Sequence, residues 1–454
     1  MKKFIETLKN IWSIKELRNR ILFTLGLLLI YRFGSFVVLP GIDPTKLQSG
    51  GGQGLLGLLN AFTGGAFGNA AIFALGIMPY ISASIVVQLL GFAVPYFQRL
   101  QKREGEAGRR KLNQITRWLT VAITLVQGGG YLTYIISQSP EAVAMDNMGV
   151  FWFSNIIILT TGTVFAMWLG ERITDRGIGN GISLLIMIGI IATLPSSLIA
   201  EFEFRLTGAG GLVTFALELA VLVAVVAATV MLVQGVRRIP IQFAKRMVGR
   251  GSSQLPATGK RDFIPLKVNA AGVMPIIFAQ ALMFLPATIA QVINPEAMTG
   301  EGGGFLAALN DFTSGPYNVI YFFLVVIFTY VYTALIVDPR QYAEYLKGQN
   351  AFIPGIKPGK PTSDFIDSVT TRITLPGSVF LGFVSILPAF AAAFGANISF
   401  AMFFGGTSLL IMVGVVLDTL QQVEGHLLMR RYDGLTKSGK LKKKGGMMGI
   451  GADL

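Results

Sequence analysis

The chain has 454 residues, of which 52% are hydrophobic and only 14% are charged. Its mean hydropathy of +0.60 is far above that of an ordinary soluble domain, so the composition indicates a polytopic membrane protein. The absence of cysteine excludes disulfides and thiolate metal sites, and the single histidine, His426, excludes a multi-histidine metal site. The net charge is +14, and in a membrane protein the side on which the basic residues lie indicates the topology.

Ten apolar segments are long enough to cross a bilayer as helices. With ten spans, all but three of the 38 Lys and Arg residues fall on the side of the N-terminus, the exceptions being Arg32, Lys46 and Arg205. The positive-inside rule therefore predicts that both termini are cytoplasmic. The segments lie at about 21–38, 71–94, 118–137, 152–169, 182–199, 213–234, 269–290, 318–337, 376–394 and 402–422.

One apolar stretch, from Gly54 to Gln88, is poorly suited to a simple span because glycines interrupt it. A short apolar piece ends at Phe62, and Gly64, Gly65 and Gly68 follow before a second apolar piece begins near Ala70. Irregular backbone at membrane depth is tolerated only where protein or a water-filled cavity surrounds it. We therefore expect this stretch to enter the membrane without facing lipid, and a simple re-entrant packing loop is the alternative interpretation.

Five spans in each half place the second half in the opposite orientation, so any internal repeat must be inverted. One trace of a repeat is present. The sequence Gly-Ile-Met-Pro at 76–79 lies in the second span, and Gly-Val-Met-Pro at 272–275 lies in the second span of the other half. We expect two facing helices with a proline inside each, which would be natural movable elements.

Three basic connections are expected on the cytoplasmic side. The first, at 98–117, is interpreted as a solvated connection, and the loops at 237–267 and 338–374 are too long to be mere turns. Clustered Lys and Arg residues favour a docking surface for RNA phosphates or an acidic partner. Orientation charge on a solvated face is the equally open alternative.

Six long sequence motifs are distinctive. They are FTGGAFGNAAIFALGIMPYISASIVVQLL at 62–90, GERITDRGIGNGIS at 170–183, RRIPIQFAKR at 237–246, PLKVNAAGVMPIIFA at 265–279, PGIKPGKPT at 354–362 and FGGTSLLI at 404–411. In these motifs the chain resembles the SecY family, the channel subunits of the bacterial protein translocon, and the likeness covers nearly the whole sequence. It departs from the family at Lys357, where arginine is usual, and in the Gly/Ser/Pro-rich tip of the loop between spans six and seven.

The resemblance implies an all-α integral membrane protein with ten transmembrane helices in two inverted, pseudo-symmetric halves of five. A short re-entrant plug helix would lie at about 55–69. The implied divisions are an amphipathic cytoplasmic N-terminus at 1–20, an N-terminal half at 21–200, a sixth span at 201–235, a cytoplasmic loop at 236–268, the rest of the C-terminal half at 269–422 with its loop at 338–375, and a basic cytoplasmic tail at 423–454.

The resemblance also implies functional residues, position by position. The pore ring would be Ile77, Ile81, Ile182, Ile186, Met274, Ile277 and Ile411. The plug would include Leu55, Leu58, Leu59, Phe62, Gly64, Gly65, Phe67 and Asn69. Gln88 and Asn180 would be polar residues of the lateral gate, and docking of the ribosome or motor would use Arg237, Arg238, Lys245, Arg246, Arg250, Lys357 and Lys360. Ordinary core packing is the alternative for each ring pair, and an interhelical hydrogen bond is the alternative for the gate residues.

The implied function is a protein-conducting channel of the bacterial cytoplasmic (inner) membrane, which passes unfolded polypeptides and releases apolar segments sideways into lipid. An aliphatic constriction excludes ions yet parts around varied side chains. The sequence has no GxxxxGK[ST] phosphate loop, so energy would come from partners. The implied partners are SecE and SecG, the SecA motor, the ribosome, signal peptides and nascent chains, membrane lipids and accessory insertion factors; no cofactor is expected.

Two other classes of function can be weighed against a channel. A secondary transporter normally needs ionisable groups inside the membrane, and the expected spans offer few, namely Arg32, Glu218 and Asp418. An intramembrane enzyme needs a nucleophile with its base, or metal ligands, at membrane depth, and the sequence assembles neither. The sequence therefore favours a passive pore that is not an enzyme.

Overall fold

A computed structural model describes residues 12–47, 55–102, 104–144, 147–207, 211–243, 261–293, 308 and 311–445. Most of these residues are helical. The helices are α1 (Lys15–Gly34), α2 (Leu55–Phe62), α3 (Met78–Ala93), α4 (Pro95–Lys102), α5 (Gly105–Gln138), α6 (Met148–Arg176), α7 (Gly181–Thr207), α8 (Gly211–Gln234), α9 (Met274–Ile293), α10 (Gly315–Ile336), α11 (Pro339–Gly348), α12 (Lys360–Ala393), α13 (Ile398–Ala401) and α14 (Gly406–Gly445). Three strands join them, β1 (Val236–Phe243), β2 (Arg261–Lys267) and β3 (Ala351–Phe352).

Each of the ten expected spans contains one long helix. Seven helices are long and apolar enough to cross a membrane by themselves, namely α5, α6, α7, α8, α10 with α11, α12 and α14. The helices α3 and α4, which meet at 103°, pass the same test of length and composition only when they are taken together. The remaining two expected spans correspond to α1 and to α9. The multi-span helical fold is confirmed, and the bend places α4 in the basic connection that we expected to be a plain loop.

The two Gly-x-Met-Pro sequences adopt the same local structure. Gly76 and Gly272 have positive φ angles of 53° and 65°, a region that glycine enters without steric cost. In both places a helix then begins at the methionine, so that Pro79 and Pro275 lie in the first turn of α3 and α9. Proline is tolerated in a first turn because the N–H that it lacks would have no intrahelical partner. We expected these prolines to lie inside the helices, but they lie at the helix starts.

Buried apolar side chains form three clusters. The largest, called the central cluster below, contains residues of both halves, such as Leu28 of α1, Ile186 of α7 and Ile411 of α14. The second lies within the N-terminal half and includes Phe67, Phe151 and Leu159. By contrast, the residues of α8 are exposed or half-buried, with Thr229 its one fully buried residue in the described structure. An apolar helix with so little buried surface faces lipid or a partner.

The third cluster belongs to a small sheet that the sequence did not predict as such. Strand β1 pairs antiparallel with β2 from Val236↔Lys267 to Gln242↔Arg261, and its far end pairs with β3 at Gln242↔Phe352. The two long basic loops are thus hydrogen-bonded to each other. Their apolar core consists of Ile239, Ile241, Ile264, Leu266, Leu346, Ala351, Ile353 and Ile366. The fold is therefore helical with one small β-containing unit at one end of the bundle. Strands β1, β2 and β3 together with this core are called the sheet unit below.

Candidate functional site

Six of the seven expected ring residues meet in the central cluster. Ile77, Ile81, Ile186, Ile277 and Ile411 are buried, with exposed fractions of 9% or less, and Ile182 packs against them while partly buried. They come from α3, α7, α9 and α14, and so from both halves of the chain. Each pair on one helix is spaced by three or four residues and therefore lies on one face. These isoleucines therefore belong to one apolar cluster that joins the two halves.

The seventh ring residue, Met274, lies elsewhere. It is 38% exposed, and it occupies the first position of α9, one residue before Pro275. The structure therefore does not bring Met274 into the cluster with the six isoleucines. Met78 occupies the same place at the start of α3 and packs against the central cluster while partly buried.

The glycine-broken segment lies between the two large clusters of the bundle. Phe62 and Ala66 belong to the central cluster, Phe67 belongs to the second, and Leu59 contacts both. After α2 the chain continues through turns to Ile77, as the glycines predict. Gly64 is buried, Gly65 half-buried and Asn69 exposed, and the side chains of Leu55 and Leu58 lie outside the described residues. This segment is packed inside protein, as irregular backbone in a membrane must be.

Two glycines allow the segment to approach α7 backbone to backbone. A Cβ added to Gly189 would lie 2.1 Å from the carbonyl oxygen of Phe62, which is far inside van der Waals contact. Gly64 has a φ of +66°, and a Cβ there would lie 3.0 Å from the Cα of Gly189. No residue larger than glycine fits either position without moving the segment.

Hydrogen bonds from three neighbouring elements hold the irregular backbone. The Arg32 guanidinium of α1 donates to the Gly64 carbonyl, and the Tyr131 hydroxyl of α5 donates to the Phe67 carbonyl at 2.6 Å. The N–H groups of Leu39 and Ile72 donate across an antiparallel bridge to Ala70 and Val37, at 2.8 and 2.9 Å. Arg32, which the sequence marked only as a charge inside the membrane, therefore contacts the segment directly.

Gln88 links α3 to α10. Its side-chain carbonyl accepts a hydrogen bond from the Tyr332 hydroxyl, and its amide donates to Ser84 at 3.2 Å. The Tyr332 ring also packs edge-on against Phe278 of α9, with ring centroids 4.6 Å apart. Sequence reasoning did not identify Tyr332. The spacing of the residues could have indicated it, because positions three or four apart lie on one face of a helix. The buried residues of α10 follow this spacing, at Tyr317, Tyr321, Val325, Thr329 and Tyr332.

Asn180 has a different environment from Gln88. It is exposed and lies just before α7, where its side-chain oxygen accepts from the N–H groups of Ile182 and Ser183 at 3.1 and 3.4 Å. These contacts are those of a helix N-cap. In the described structure the contacts of Asn180 are thus with the first turn of α7 and not with Gln88.

The basic residues expected in docking lie on the sheet unit. Arg237 and Arg238 are exposed on β1, and the Arg238 guanidinium lies 4.8 Å from the centre of the Phe263 ring. Lys357 and Lys360 are exposed at the turn before α12 and at its first residue. An open groove of about 380 Å³ lies between β1 and α12 and is lined in part by Arg237, Arg238 and Arg372. Lys245, Arg246 and Arg250 lie outside the described residues.

The charges inside the bundle form an ion-pair network that sequence reasoning missed. Helix α7 continues to Thr207, beyond the expected end of its span at 199, and so carries Glu201 and Arg205 into the protein. Arg205 pairs with Glu201 at 2.8 Å and with Glu218 of α8. Among the described residues no group of three or more His, Cys, Asp or Glu could hold a metal ion. The network is thus an ion-pair site without the ligands of a metal site.

Comparison with known proteins agrees with this architecture. A family model described as SecY matches residues 71–420. The "Protein translocase subunit SecY" of Streptomyces scabiei is 42% identical over 437 residues, which cover 93% of this chain and 97% of the relative. A solved structure described as "The structure of a protein conducting channel" superposes with a TM-score of 0.62 at 19% identity, covering 89% of this chain and 91% of the other.

A second solved structure, "Sec61 in the Canine ribosome-channel complex from the endoplasmic reticulum", gives a TM-score of 0.58 at 17% identity over 89% of this chain and 91% of the other. At such identities the structures establish a shared fold. The family match and the bacterial relative extend over most of the sequence. This chain belongs to the SecY family of protein translocase subunits.

Proposed function

We propose that this chain conducts unfolded polypeptides through the centre of the bundle and that the six clustered isoleucines form the constriction. The observation that carries the proposal is that Ile77, Ile81, Ile186, Ile277 and Ile411, from both halves of the chain, belong to one apolar cluster, against which Ile182 packs. An aliphatic constriction excludes ions by dewetting, and side chains without polar groups can part around any sequence that passes. Met274 would join the constriction only in a different arrangement of α9, since it is exposed here.

The glycine-broken segment, about 55–69, is proposed as the plug of this constriction. Support comes from its position beside the central cluster and from its contact with α7 through Gly64 and Gly189. Because this contact consists of glycine backbone and a few hydrogen bonds, the segment can leave and return without rearranging interlocked side chains. Arg32 and Tyr131 would hold it in the resting state through the Gly64 and Phe67 carbonyls.

The contact between α3 and α10 is proposed as part of a lateral gate to the lipid. The Tyr332–Gln88 hydrogen bond supports this proposal because it joins a helix of one half to a helix of the other. An apolar segment entering between these helices would have to break that bond, and a polar group without a partner is costly in hydrocarbon. Asn180 contributes to the start of α7 and adds no support to the gate.

The sheet unit is proposed as the docking surface for cytoplasmic partners. Its exposed Arg237, Arg238, Lys357 and Lys360 would attract ribosomal RNA or acidic surfaces of a SecA motor. The canine structural neighbour is described as part of a ribosome–channel complex, which favours a ribosomal partner. SecE, SecG, signal peptides, nascent chains, accessory insertion factors and lipids complete the proposed partners. The location would be the bacterial cytoplasmic (inner) membrane, with both termini cytoplasmic.

Site-directed cross-linking tests the proposed path directly, because the chain has no cysteine of its own. A cysteine at Ile81 would be offered a stalled secretory precursor that also carries one cysteine. The matched control is a cysteine at Val223 of α8, which is 62% exposed on the outside of the bundle. We expect a disulfide with the precursor at Ile81 and none at Val223.

An engaged precursor that fails to cross-link at Ile81, or that cross-links equally at Val223, would contradict a central path. The transporter alternative would then gain weight, since the bundle contains more charge than the sequence suggested, through Glu201 and Arg205. Engagement would be verified separately by protease protection of the stalled precursor.

A further inference from the structure

Three charged side chains meet where α7 ends and α8 begins, at the end of the bundle opposite the sheet. Only 7% of the Arg205 side chain, none of the Glu201 side chain and 13% of the Glu218 side chain is exposed. Arg205 also donates to the Gly395 carbonyl at 2.9 Å, and the Asn397 N–H donates to Glu201 Oε2 at 2.8 Å. The network therefore fastens the hairpin of α7 and α8 to the connection between α12 and α14.

The charge of this network does not balance. One guanidinium faces two carboxyl groups, so the site carries a net negative charge if both are ionised. Both Glu201 oxygens have donors, Arg205 Nε for Oε1 and the Asn397 N–H for Oε2. Glu218 Oε1 accepts from Arg205, but its Oε2 is buried with no hydrogen-bond partner among the described residues. An unpaired charge in a protein interior is far more costly than a neutral carboxyl.

The two carboxyl groups accept from the same guanidinium, Glu201 from Nε and Glu218 from a terminal nitrogen of Arg205, so they lie side by side. Two ionised carboxylates repel at that separation, whereas a carboxyl beside a carboxylate forms a hydrogen bond once one proton lies between them. We propose that Glu218 and Glu201 share one proton, which makes this network a proton-binding site that joins the α7–α8 hairpin to the α12–α14 connection. Binding the proton removes the excess charge and supplies the hydrogen that Glu218 Oε2 lacks.

Among the described residues no other charged group contacts the network. The 395–397 connection and α13 contribute backbone only, and residues 406–417 of α14, which packs against both helices, contain no titratable side chain. Arg32 of α1 lies against α7 as well, but its guanidinium donates to Gly64. Glu203, two residues after Glu201, is exposed and faces away from the network.

Infrared spectroscopy of the full chain in lipid nanodiscs tests the proposal. A protonated carboxyl has a C=O stretch well separated from the carboxylate bands, and the band shifts in D₂O. At neutral pH we expect such a band in the wild type, its loss in both Glu218→Gln and Glu201→Gln, and its persistence in the matched control Glu203→Gln. A wild type without the band, or a Glu218→Gln variant that keeps it, would overturn the proposal.

Thermal unfolding supplies a second measurement that does not depend on band assignment. The unfolded chain releases this proton near the ordinary Glu pKa of about 4.3, whereas the folded network keeps it to higher pH, so the wild type and Glu203→Gln should lose Tm as the pH rises from about 4 through neutrality. Glu218→Gln resembles the protonated state and should lose at least several degrees less. An identical loss in all three proteins would overturn the proposal even if Glu218→Gln were less stable overall.

Discussion

The Tyr332 hydroxyl donates a hydrogen bond to the Gln88 side-chain carbonyl, and this bond joins α10 to α3 across the contact between the two halves. Both partners project from helices that are otherwise strongly apolar. A polar pair in such surroundings is stable only while it stays together, because neither group finds a substitute partner in lipid. The bond therefore biases the two helices towards contact.

Removing this bond should make lateral opening easier. In Tyr332→Phe the ring remains and the hydroxyl is lost, so the closed arrangement should lose about 1 kcal/mol, or about fivefold in the opening equilibrium. We expect more efficient export of a precursor whose signal segment is only weakly apolar. The control is Tyr330→Phe on the same helix, which is half-buried. Unchanged export in Tyr332→Phe would argue that the bond only holds the bundle together.

The glycine contact between α7 and the proposed plug gives a second prediction. In Gly189→Ala the new methyl group would overlap the Phe62 carbonyl, so the segment must shift away from its seat. We expect a several-fold higher resting ion conductance in planar bilayers. Gly26→Ala in α1 is the matched control, because nothing lies within 4 Å of the added carbon. A tight Gly189→Ala channel would show that this segment is not what seals the pore.

Lys357 lies exposed in the turn that precedes α12, and the Thr362 hydroxyl donates to its backbone carbonyl at 2.9 Å. Its side chain makes no ion pair or hydrogen bond with any described residue, so it is available to a partner. We expect Lys357→Glu to reduce motor-dependent export at least several-fold, because it reverses the charge offered to an acidic partner, whereas Lys357→Arg keeps that charge. Equal export by the two variants, measured in inverted vesicles, would exclude a contact at this residue.

The sheet unit should be able to unfold locally while the membrane helices stay folded. Ile366 is fully buried there, and its replacement by alanine typically costs about 2–5 kcal/mol at such a site. We expect Ile366→Ala to expose the sheet loops to limited proteolysis while the helices remain protected. Ile366→Val, which typically costs about 0.5–1.5 kcal/mol, is the graded control. Equal protease resistance in both variants would contradict an independent core.

The sequence predicted the spans well because lipid demands long apolar helices, and no other part of the chain meets that demand. The repeated Gly-x-Met-Pro sequences also marked equivalent places, although the prolines begin α3 and α9 where we expected them to interrupt the helices. The glycines of the 54–88 stretch correctly indicated turns in buried surroundings. These signals are local, and each can be understood from a few neighbouring residues.

Pairings between distant residues could not be predicted in this way. Tyr332 and Gln88 are 244 positions apart, and nothing in either helix indicates the other as its partner. The apolar window of the fifth span ends at 199, so the sequence assigns neither Glu201 nor Arg205 to that span, although α7 carries both into the protein. The pairing of β1 with β3 joins two separate loops and depends on the way that the helices between them fold back.

The β1–β2 pair also has a mechanical consequence. An eight-residue strand spans about 26 Å, and β1 begins only two residues after the last residue of α8, while β2 ends seven residues before α9. The pair thus forms a stalk whose base is rooted in two helices of the C-terminal half. A sideways push near the tip would act on those helices with the leverage of the whole stalk. Because β3 braces the far end of β1, the same push would reach α12, so one point of contact could move several helices together.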